Sequence, residues 1–189
     1  MLEASNNCKG MSLIELLLGI ALMGILTTFA VPSYKAWVQN SKIRNSASSI
    51  QNGLQLARAE AIKRNQRVQL ELRGVNSAWT VCVSPSPAGN CPNPDDSSTI
   101  QSRATGDGGS SSITVNTTLA GPYVFDGLGT LRSPSPAANT LIRITVDINP
   151  SVLPAADSRD LQIIMGAGGN SRLCDPNLSS SGTDPRRCP

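Results

Sequence analysis

One apolar run near the start of the chain constrains the fold more than any other feature. Residues 11–31 carry a single charge, Glu15, and a run of this length suits a bilayer core about 30 Å thick. A secretory signal peptide would have a shorter apolar region, about 7–15 residues, followed by a cleavage site of small residues. Tyr34 and Trp37 follow the run instead and suit a membrane–water interface. We therefore expect a transmembrane segment over residues 11–31.

The charged side chain of Glu15 carries a free-energy penalty in such a segment. A carboxylate inside a bilayer costs roughly 2.5–3.5 kcal/mol or more, and it normally has a partner. An ordinary membrane anchor supplies none, so the segment is expected to do more than anchor the chain.

Beyond the apolar run, a second set of apolar residues recurs at intervals of four and three, as on one face of an α-helix. These residues are Ile43, Ala47, Ile50, Leu54, Ala57 and Ala61. The stripe is short and rich in alanine for a coiled coil, so we favour packing against a sheet of the same chain. The two segments together predict one long helix from about Met11 to Gln66.

Charge is distributed unevenly along the chain. Residues 32–67 contain seven bases and one acid, Glu60, whereas residues 68–189 contain eight arginines and ten acids. A basic stem of this kind suits burial among neighbouring subunits or a position near anionic lipid headgroups, and DNA binding along it is an alternative. Glu60 is expected to pair with Lys63 and Arg64, which lie three and four residues later on the same helix.

After the helix, the apolar period changes to two. Alternation from Val68 to Leu72, a turn, and the apolar stretch Trp79–Val83 predict a hairpin. Further candidate strands are Thr99–Arg103, Ser112–Thr117, Tyr123–Phe125, Leu141–Ile148 and Leu161–Met165. Strands with one apolar and one polar face indicate antiparallel sheets packed on the helix and on each other, which is an α+β fold.

The chain has five cysteines, and Cys8 precedes the apolar run. The other four allow three disulfide connectivities, of which their spacing favours the two local pairs, Cys82–Cys91 and Cys174–Cys188, in an oxidising compartment. Zinc would require tighter Cys-x-x-Cys spacing.

Nothing in the sequence indicates catalysis. Histidine is absent, so the commonest general base and metal ligand are missing. No Gly-x-Ser-x-Gly, Walker A or His-Glu-x-x-His motif occurs, and the glycine-rich stretch 105–110 is typical of a turn. We expect no catalytic residue, no metal, no cofactor and no small-molecule substrate.

The stretch KGMSLIE at residues 9–15 resembles the class III signal of type IV pilins and type II secretion pseudopilins. The resemblance implies cleavage between Gly10 and Met11 by a prepilin peptidase and N-methylation of Met11, although the family usually has phenylalanine at this position. It also implies that Glu15 pairs with the new amine of a neighbouring subunit. Such a pair neutralises both charges in a low-dielectric setting and acts as an assembly contact.

Two further stretches are similar to the GspH/FimT branch of the pilin superfamily. They are LARAEAIKR at residues 56–64, followed by Val-Gln-Leu at 68–70, and the Phe-x-x-x-Gly turn within 124–129. The resemblance implies a pilin-like fold with four parts. These are a leader peptide (1–10), a transmembrane half-helix (11–31), an amphipathic stem helix (32–67) and a β-rich head whose tail is stapled by a disulfide (68–189).

The family resemblance also implies a function. The chain would be a structural subunit of the tip or initiation complex of a type IV pilus or of a type II secretion pseudopilus. Its partners would be other pilins or pseudopilins, the inner-membrane assembly platform, prepilin peptidase and the membrane. It would sit in the inner membrane with its head in the periplasm and then enter the filament tip.

DNA uptake in natural transformation is the alternative function. FimT-like minor pilins that bind DNA carry a Gly-Arg-x-Arg motif near the C-terminus. Here Arg172 matches the second arginine, and Asn170 replaces the first. A disulfide in the tail would bring Arg186 and Arg187 beside Arg172, and three arginines would give sequence-nonspecific phosphate contacts. If the disulfide only staples the tail, these arginines are simply solvated.

Overall fold

The computed structural model describes residues 11–74, 76–85, 89–107, 110–135, 140–179 and 183–189. The predicted leader, and with it Gly10 of the predicted cleavage site, lies outside the described residues. The chain divides into two compact units, residues 1–37 and 38–189, and each is described by itself.

The first element is a long helix, α1 (Leu13–Arg64). It begins after Ser12, whose carbonyl accepts the N–H of Leu16 at 3.2 Å, so Ser12 occupies the N-cap position. It ends two residues before the predicted Gln66, because Asn65 adopts a left-handed conformation (φ 49°). The N–H groups of Asn65 and Gln66 then donate to the carbonyls of Ile62 and Ala61, which is a Schellman motif.

The predicted membrane segment does not form a straight span by itself. Among the described residues, no single straight helix is both long enough and apolar enough to cross a bilayer. The parts of α1 on either side of a 41° bend, Leu13–Thr28 and Ser33–Arg64, meet the length and composition requirement only as a pair.

In the described part of the chain, nine strands follow α1 and form two antiparallel sheets. They are β1 (Val68–Leu72), β2 (Trp79–Val83), β3 (Thr99–Arg103), β4 (Ile113–Thr117), β5 (Tyr123–Phe125), β6 (Leu131–Ser133), β7 (Ile142–Ile148), β8 (Leu161–Met165) and β9 (Ser171–Cys174). The first sheet has the order β3-β2-β1-β5-β6, and the second has the order β4-β7-β8-β9. The fold class predicted from the sequence, a long helix with antiparallel sheets, is therefore confirmed.

The helix packs on the first sheet through the predicted apolar stripe. All six of its members are at most 1% exposed: Ile43, Ala47, Ile50, Leu54, Ala57 and Ala61. Gly53 lies so close to this sheet that a Cβ there would be 2.7 Å from Leu70 Cδ1 and 3.1 Å from the Trp79 ring. Trp79 Nε1 donates to Ser49 Oγ at 2.9 Å, which ties the indole to the helix. The expectation that the stripe packs on a sheet of the same chain is confirmed.

The predicted strands agree with the structure to within one residue at each end. Two strands are not predicted by the sequence pattern. β6 has only three residues, and its Leu131-Arg132-Ser133 sequence offers no alternation. β9 follows Gly166 to Asn170, whose composition predicts an irregular tail rather than a strand.

The two disulfides in the described part of the head each join cysteines that are close in sequence, 9 and 14 residues apart. Cys82 is bonded to Cys91 with a Cα–Cα distance of 5.8 Å, and Cys174 is bonded to Cys188 with a Cα–Cα distance of 5.0 Å. These are the two local pairs favoured by the cysteine spacing. The second disulfide positions the C-terminal arginines.

Candidate functional site

The N-terminal unit presents apolar side chains on every side of its helix. Their exposed fractions run from 52% to 77% over Met11, Leu13, Ile14, Leu16, Leu17, Leu18, Ile20, Leu22, Met23, Ile25 and Leu26. A helix that is apolar all round is stable only when something else covers it, either lipid or other protein. The apolar side chains of this segment are therefore expected to be covered by lipid or by other protein.

Glu15 lies in the first turn of α1, within this apolar surface. A carboxylate in a first turn is stabilised by the partial positive charge of the helix N-terminus. The ion pairs among the described residues do not include Glu15.

At the end of α1, Glu60 forms the two predicted ion pairs. Its carboxylate lies 3.3 Å from Lys63 Nζ and 2.6 Å from Arg64 Nε. Hydrogen bonding to Arg64, with a smaller contribution from Lys63, lowers the pKa of Glu60. The pairs are local to one helical turn and have a structural role.

The second predicted site contains Arg172, Arg186 and Arg187, and we call it the C-terminal arginine loop. Arg172 lies on β9, and its Nη2 donates to the carbonyl of Arg187 at 3.2 Å. Asp175, at the end of β9, bridges to Arg187 and donates its N–H to the carbonyl of Arg186 at 2.7 Å. Arg186 and Arg187, which lie within the loop closed by the Cys174–Cys188 disulfide, are therefore held alongside the end of β9.

The three arginines differ in their ion pairing. Arg186 is bound in a fork by Asp184, with Nη2 2.8 Å from Oδ2 and Nε 3.1 Å from Oδ1. The hydrogen bond from the Arg186 side chain, with one from its backbone N–H, lowers the pKa of Asp184 to about 2, and the same pair raises the pKa of Arg186. Much of the charge of Arg186 is already satisfied within the chain.

Arg172 and Arg187 instead line one open cavity of about 480 Å³. The other residues that line it are Thr183, Asp184, Pro185 and Pro189. Arg186 is not among them. The sequence predicts three arginines on one surface, whereas the cavity in the structure is lined by two arginines and one carboxylate.

A fourth arginine, not indicated by the sequence, reaches the same tail. Arg143 on β7 donates from Nη2 to the carbonyl of Pro189 at 2.7 Å. The strand register places Arg143 opposite Ile164, and Ile164 opposite Arg172, so the two arginines share one face of the second sheet. Only the pairing of three strands reveals this proximity, and no motif surrounds Arg143 in the sequence.

Comparison with protein families gave two matches. The family described as Type II transport protein GspH matches residues 46–169, which is more than half of the chain. A prokaryotic N-terminal methylation motif matches residues 5–31.

The chain belongs to the GspH family.

Solved structures with a similar fold come from the same class of protein. The type IV minor pilin FimU of Pseudomonas aeruginosa has 15% sequence identity and a TM-score of 0.51, over 75% of this chain and 97% of FimU. The minor pseudopilin EpsH from the type 2 secretion system of Vibrio cholerae has 14% identity and a TM-score of 0.47, over 72% and 99%. Escherichia coli GspH has 14% identity and a TM-score of 0.45, over 75% and 93%. A search of curated protein sequences found no match.

Membership of this family makes the chain a minor pilin or pseudopilin of the type IV pilus or type II secretion class. The methylation motif spans Met11 and Glu15, and the GspH match begins within the stem and ends at Gly169. Arg172, Arg186 and Arg187 all lie beyond the end of that match. The C-terminal arginine loop is thus a feature of this chain that the family match does not cover.

Proposed function

We propose that this chain is a minor pilin or pseudopilin subunit of the tip or initiation complex of a filament in the bacterial inner membrane. Prepilin peptidase cleaves it between Gly10 and Met11, and Met11 is N-methylated. Residues 11–31 anchor the mature chain in the membrane, residues 32–67 form the stem, and residues 68–189 form the periplasmic head. Its role is structural rather than catalytic.

One observation supports this proposal above the others: a helix exposed and apolar on all sides that contains a single carboxylate, Glu15. Lipid or neighbouring helices can cover the apolar side chains, but only a cation at the same depth compensates the carboxylate. The methylated amine of Met11 on a neighbouring subunit is such a cation. The pair forms only when two subunits have the correct axial offset, so Glu15 sets the assembly register.

The test is substitution of Glu15 by glutamine in the full-length gene. The amide is neutral and cannot compensate the amine of a neighbour, so Glu15→Gln protein should enter the membrane and be processed but should be absent from purified filaments. The matched control is Glu60→Gln, which also removes one carboxylate from α1 but acts only within the chain. If Glu15→Gln protein is found in filaments at the wild-type level, the proposed assembly contact is wrong.

Gene deletion distinguishes the filament systems. Twitching motility, exoprotein secretion and natural transformation should be scored in the same deletion strain. Loss of twitching alone assigns the subunit to a type IV pilus, and loss of secretion alone assigns it to a pseudopilus. A strain that retains all three activities contradicts the proposal.

DNA binding during natural transformation is a second candidate function, supported by the cavity that Arg172 and Arg187 share. Two arginines at one surface can bind successive phosphates without reading sequence. In a gel-shift assay over a salt series, full-length protein in detergent should bind DNA. Arg172→Gln with Arg187→Gln should reduce the salt slope by about one for each arginine that no longer binds a phosphate. Arg103→Gln, on β3, is the control, and unchanged binding by the double variant rules out this site.

A further inference from the structure

A groove with no assigned role lies between α1 and the turn that joins β8 to β9. Gln55, Arg58, Ala59 and Ile62 of α1 line one side, and residues 169–171 line the other. Its volume is about 430 Å³. None of the residues that line the C-terminal arginine cavity lines this groove.

The walls of the groove are held in place by close backbone packing. Arg58 Nε donates to the carbonyl of Gly129 at 2.9 Å. Gly129 has a φ of 76°, and a Cβ there would lie 2.7 Å from Ile62 Cδ1. Gly169 also has a φ of 76°, and a Cβ there would collide with the carbonyl oxygen of Gly129. The groove is therefore preformed, which lowers the entropic cost of binding.

One lining residue of the groove, Ile62, has an exposed aliphatic side chain, and its exposed fraction is 49%. Leu128, which is 79% exposed, directly precedes Gly129, the residue that packs against Ile62. Leu128 precedes Gly129 in a turn where its own N–H donates to Asp126 Oδ1 at 3.0 Å, so the exposed side chain stands on a fixed backbone.

The guanidinium of Arg58 is the group in the groove that can bind an anion. Glu60 pairs with Lys63 and Arg64, and Asp126 pairs with Arg132. Arg58, by contrast, forms no ion pair with any carboxylate that the structure describes, and its one hydrogen bond to a described residue uses Nε. The Ser171 hydroxyl oxygen is shielded from solvent and has no hydrogen-bond partner in that part of the chain.

We propose that this groove docks a loop of a neighbouring pilin-family subunit in which a carboxylate lies beside an aliphatic side chain. The carboxylate pairs with the terminal nitrogens of Arg58, and the aliphatic side chain packs on Ile62. A concave site that combines an arginine with an exposed aliphatic side chain suits a protein loop better than a DNA backbone, which offers phosphate without aliphatic surface, or a flat bilayer. The inference rests on the proposed function, because it takes its partner from the same filament.

The test uses the full-length protein in the cells that make it, with a photo-crosslinking amino acid in place of Asn170 on the groove wall. Irradiation of intact cells should give an adduct with another subunit that carries a prokaryotic N-terminal methylation motif. Mass spectrometry should map the crosslink to a loop that contains an Asp or Glu next to Leu, Ile or Val. The crosslinker at Gln101, exposed on β3, is the positional control.

Charge variants test the chemistry of the docking. Arg58→Gln removes the cation together with its bond to Gly129, whereas Gln55→Glu keeps Arg58 and places a competing carboxylate three residues before it on the same helix. Each should lower the adduct yield about tenfold. The matched controls are Arg44→Gln and Asn45→Glu, which make the same charge changes at exposed positions earlier on α1 and should leave the yield unchanged.

Several outcomes would overturn the proposal: no pilin-family adduct, an adduct with DNA or lipid instead, a crosslinked loop without a carboxylate, or a yield that Gln55→Glu does not alter. Intact-mass and filament-fraction measurements on the same cells separate this failure from failure of the proposed function. If the protein is processed and present in filaments but gives no adduct at Asn170, only the proposed docking in the groove is wrong. If the protein keeps its leader and never enters filaments, both the docking and the proposed function are wrong.

Discussion

Asp126 organises the turn between β5 and β6 by accepting four hydrogen bonds. The donors are the N–H groups of Leu128 and Thr130, the Thr130 hydroxyl, and Arg132 Nε. These bonds, above all the one from the Thr130 hydroxyl, lower the pKa of Asp126 to about 2 from its ordinary 3.8. One side chain thus fixes the position of Leu128 and of the carbonyl that binds Arg58.

The first prediction concerns the pH dependence of this contribution. A carboxylate whose pKa is lowered by folding stabilises the native state fully above its unfolded pKa, and the contribution is lost as pH falls through the folded pKa. Asp126→Asn should therefore be less stable than wild type near neutral pH, and the difference in urea midpoint should shrink as pH falls from about 4 to about 2. The measurement is urea denaturation of the fragment 38–189, with Asp95→Asn as a control in an exposed loop. A difference that is constant over this range would contradict the assignment.

The second prediction separates backbone conformation from close packing at glycine. Gly106→Ala should change the free energy of unfolding little, because a Cβ there meets open space. Gly74→Ala should cost about 1–2 kcal/mol, because its φ of 73° is unfavourable for alanine. Gly129→Ala should cost more, because the φ penalty is joined by a collision with Ile62. The series is measured by denaturation of the same fragment, and equal effects at Gly74 and Gly129 would show that the packing does not matter.

Two buried serines on α1 make different contributions to the packing of this helix. Ser46 and Ser49 are 1% and 3% exposed. Ser49 Oγ accepts the hydrogen bond from Trp79 Nε1, whereas Ser46 Oγ has no partner among the described residues. Burial of a hydroxyl is favourable only when a hydrogen bond replaces its interaction with water.

The third prediction follows from this difference. Ser49→Ala should lower the free energy of unfolding by about 1–3 kcal/mol, because it leaves the buried indole N–H without an acceptor. Ser46→Ala should be neutral or stabilising, because it removes an unsatisfied hydroxyl and places a better helix former in α1. Urea denaturation of the fragment 38–189 compares the two variants directly. Equal destabilisation by both would mean that side-chain volume, and not hydrogen bonding, controls this interface.

The elements differ in how far the sequence predicts them. β7 alternates Ile142, Ile144, Val146 and Ile148 on one face, so its position and its buried face follow from the sequence alone. β6 is too short for a period to be visible, and its pairing with β5 depends on contacts made after the chain has folded. The division of the described strands between two sheets, with β1 next to β5, is likewise set by tertiary packing rather than by local pattern.

At the scale of the whole molecule, the candidate sites were predictable only in part. The motif around Glu15 is contiguous, so the sequence displays it completely. The C-terminal arginine loop depends on a disulfide and on strand register. As a result, the pairing of Arg186 with Asp184 and the approach of Arg143 became visible only in the structure. The groove around Arg58 combines two segments distant in sequence, and no local sequence motif indicates it.

Intact-mass spectrometry of the protein extracted from the membranes of the producing cells tests whether the chain is processed as a pilin-family subunit. We expect a mass that shows the loss of residues 1–10 and the gain of one methyl group, because the proposed cleavage after Gly10 would create the amine with which Glu15 of a neighbour is proposed to pair. A mass that retains residues 1–10 would contradict this proposal, since Met11 would then have no free amine to pair with Glu15.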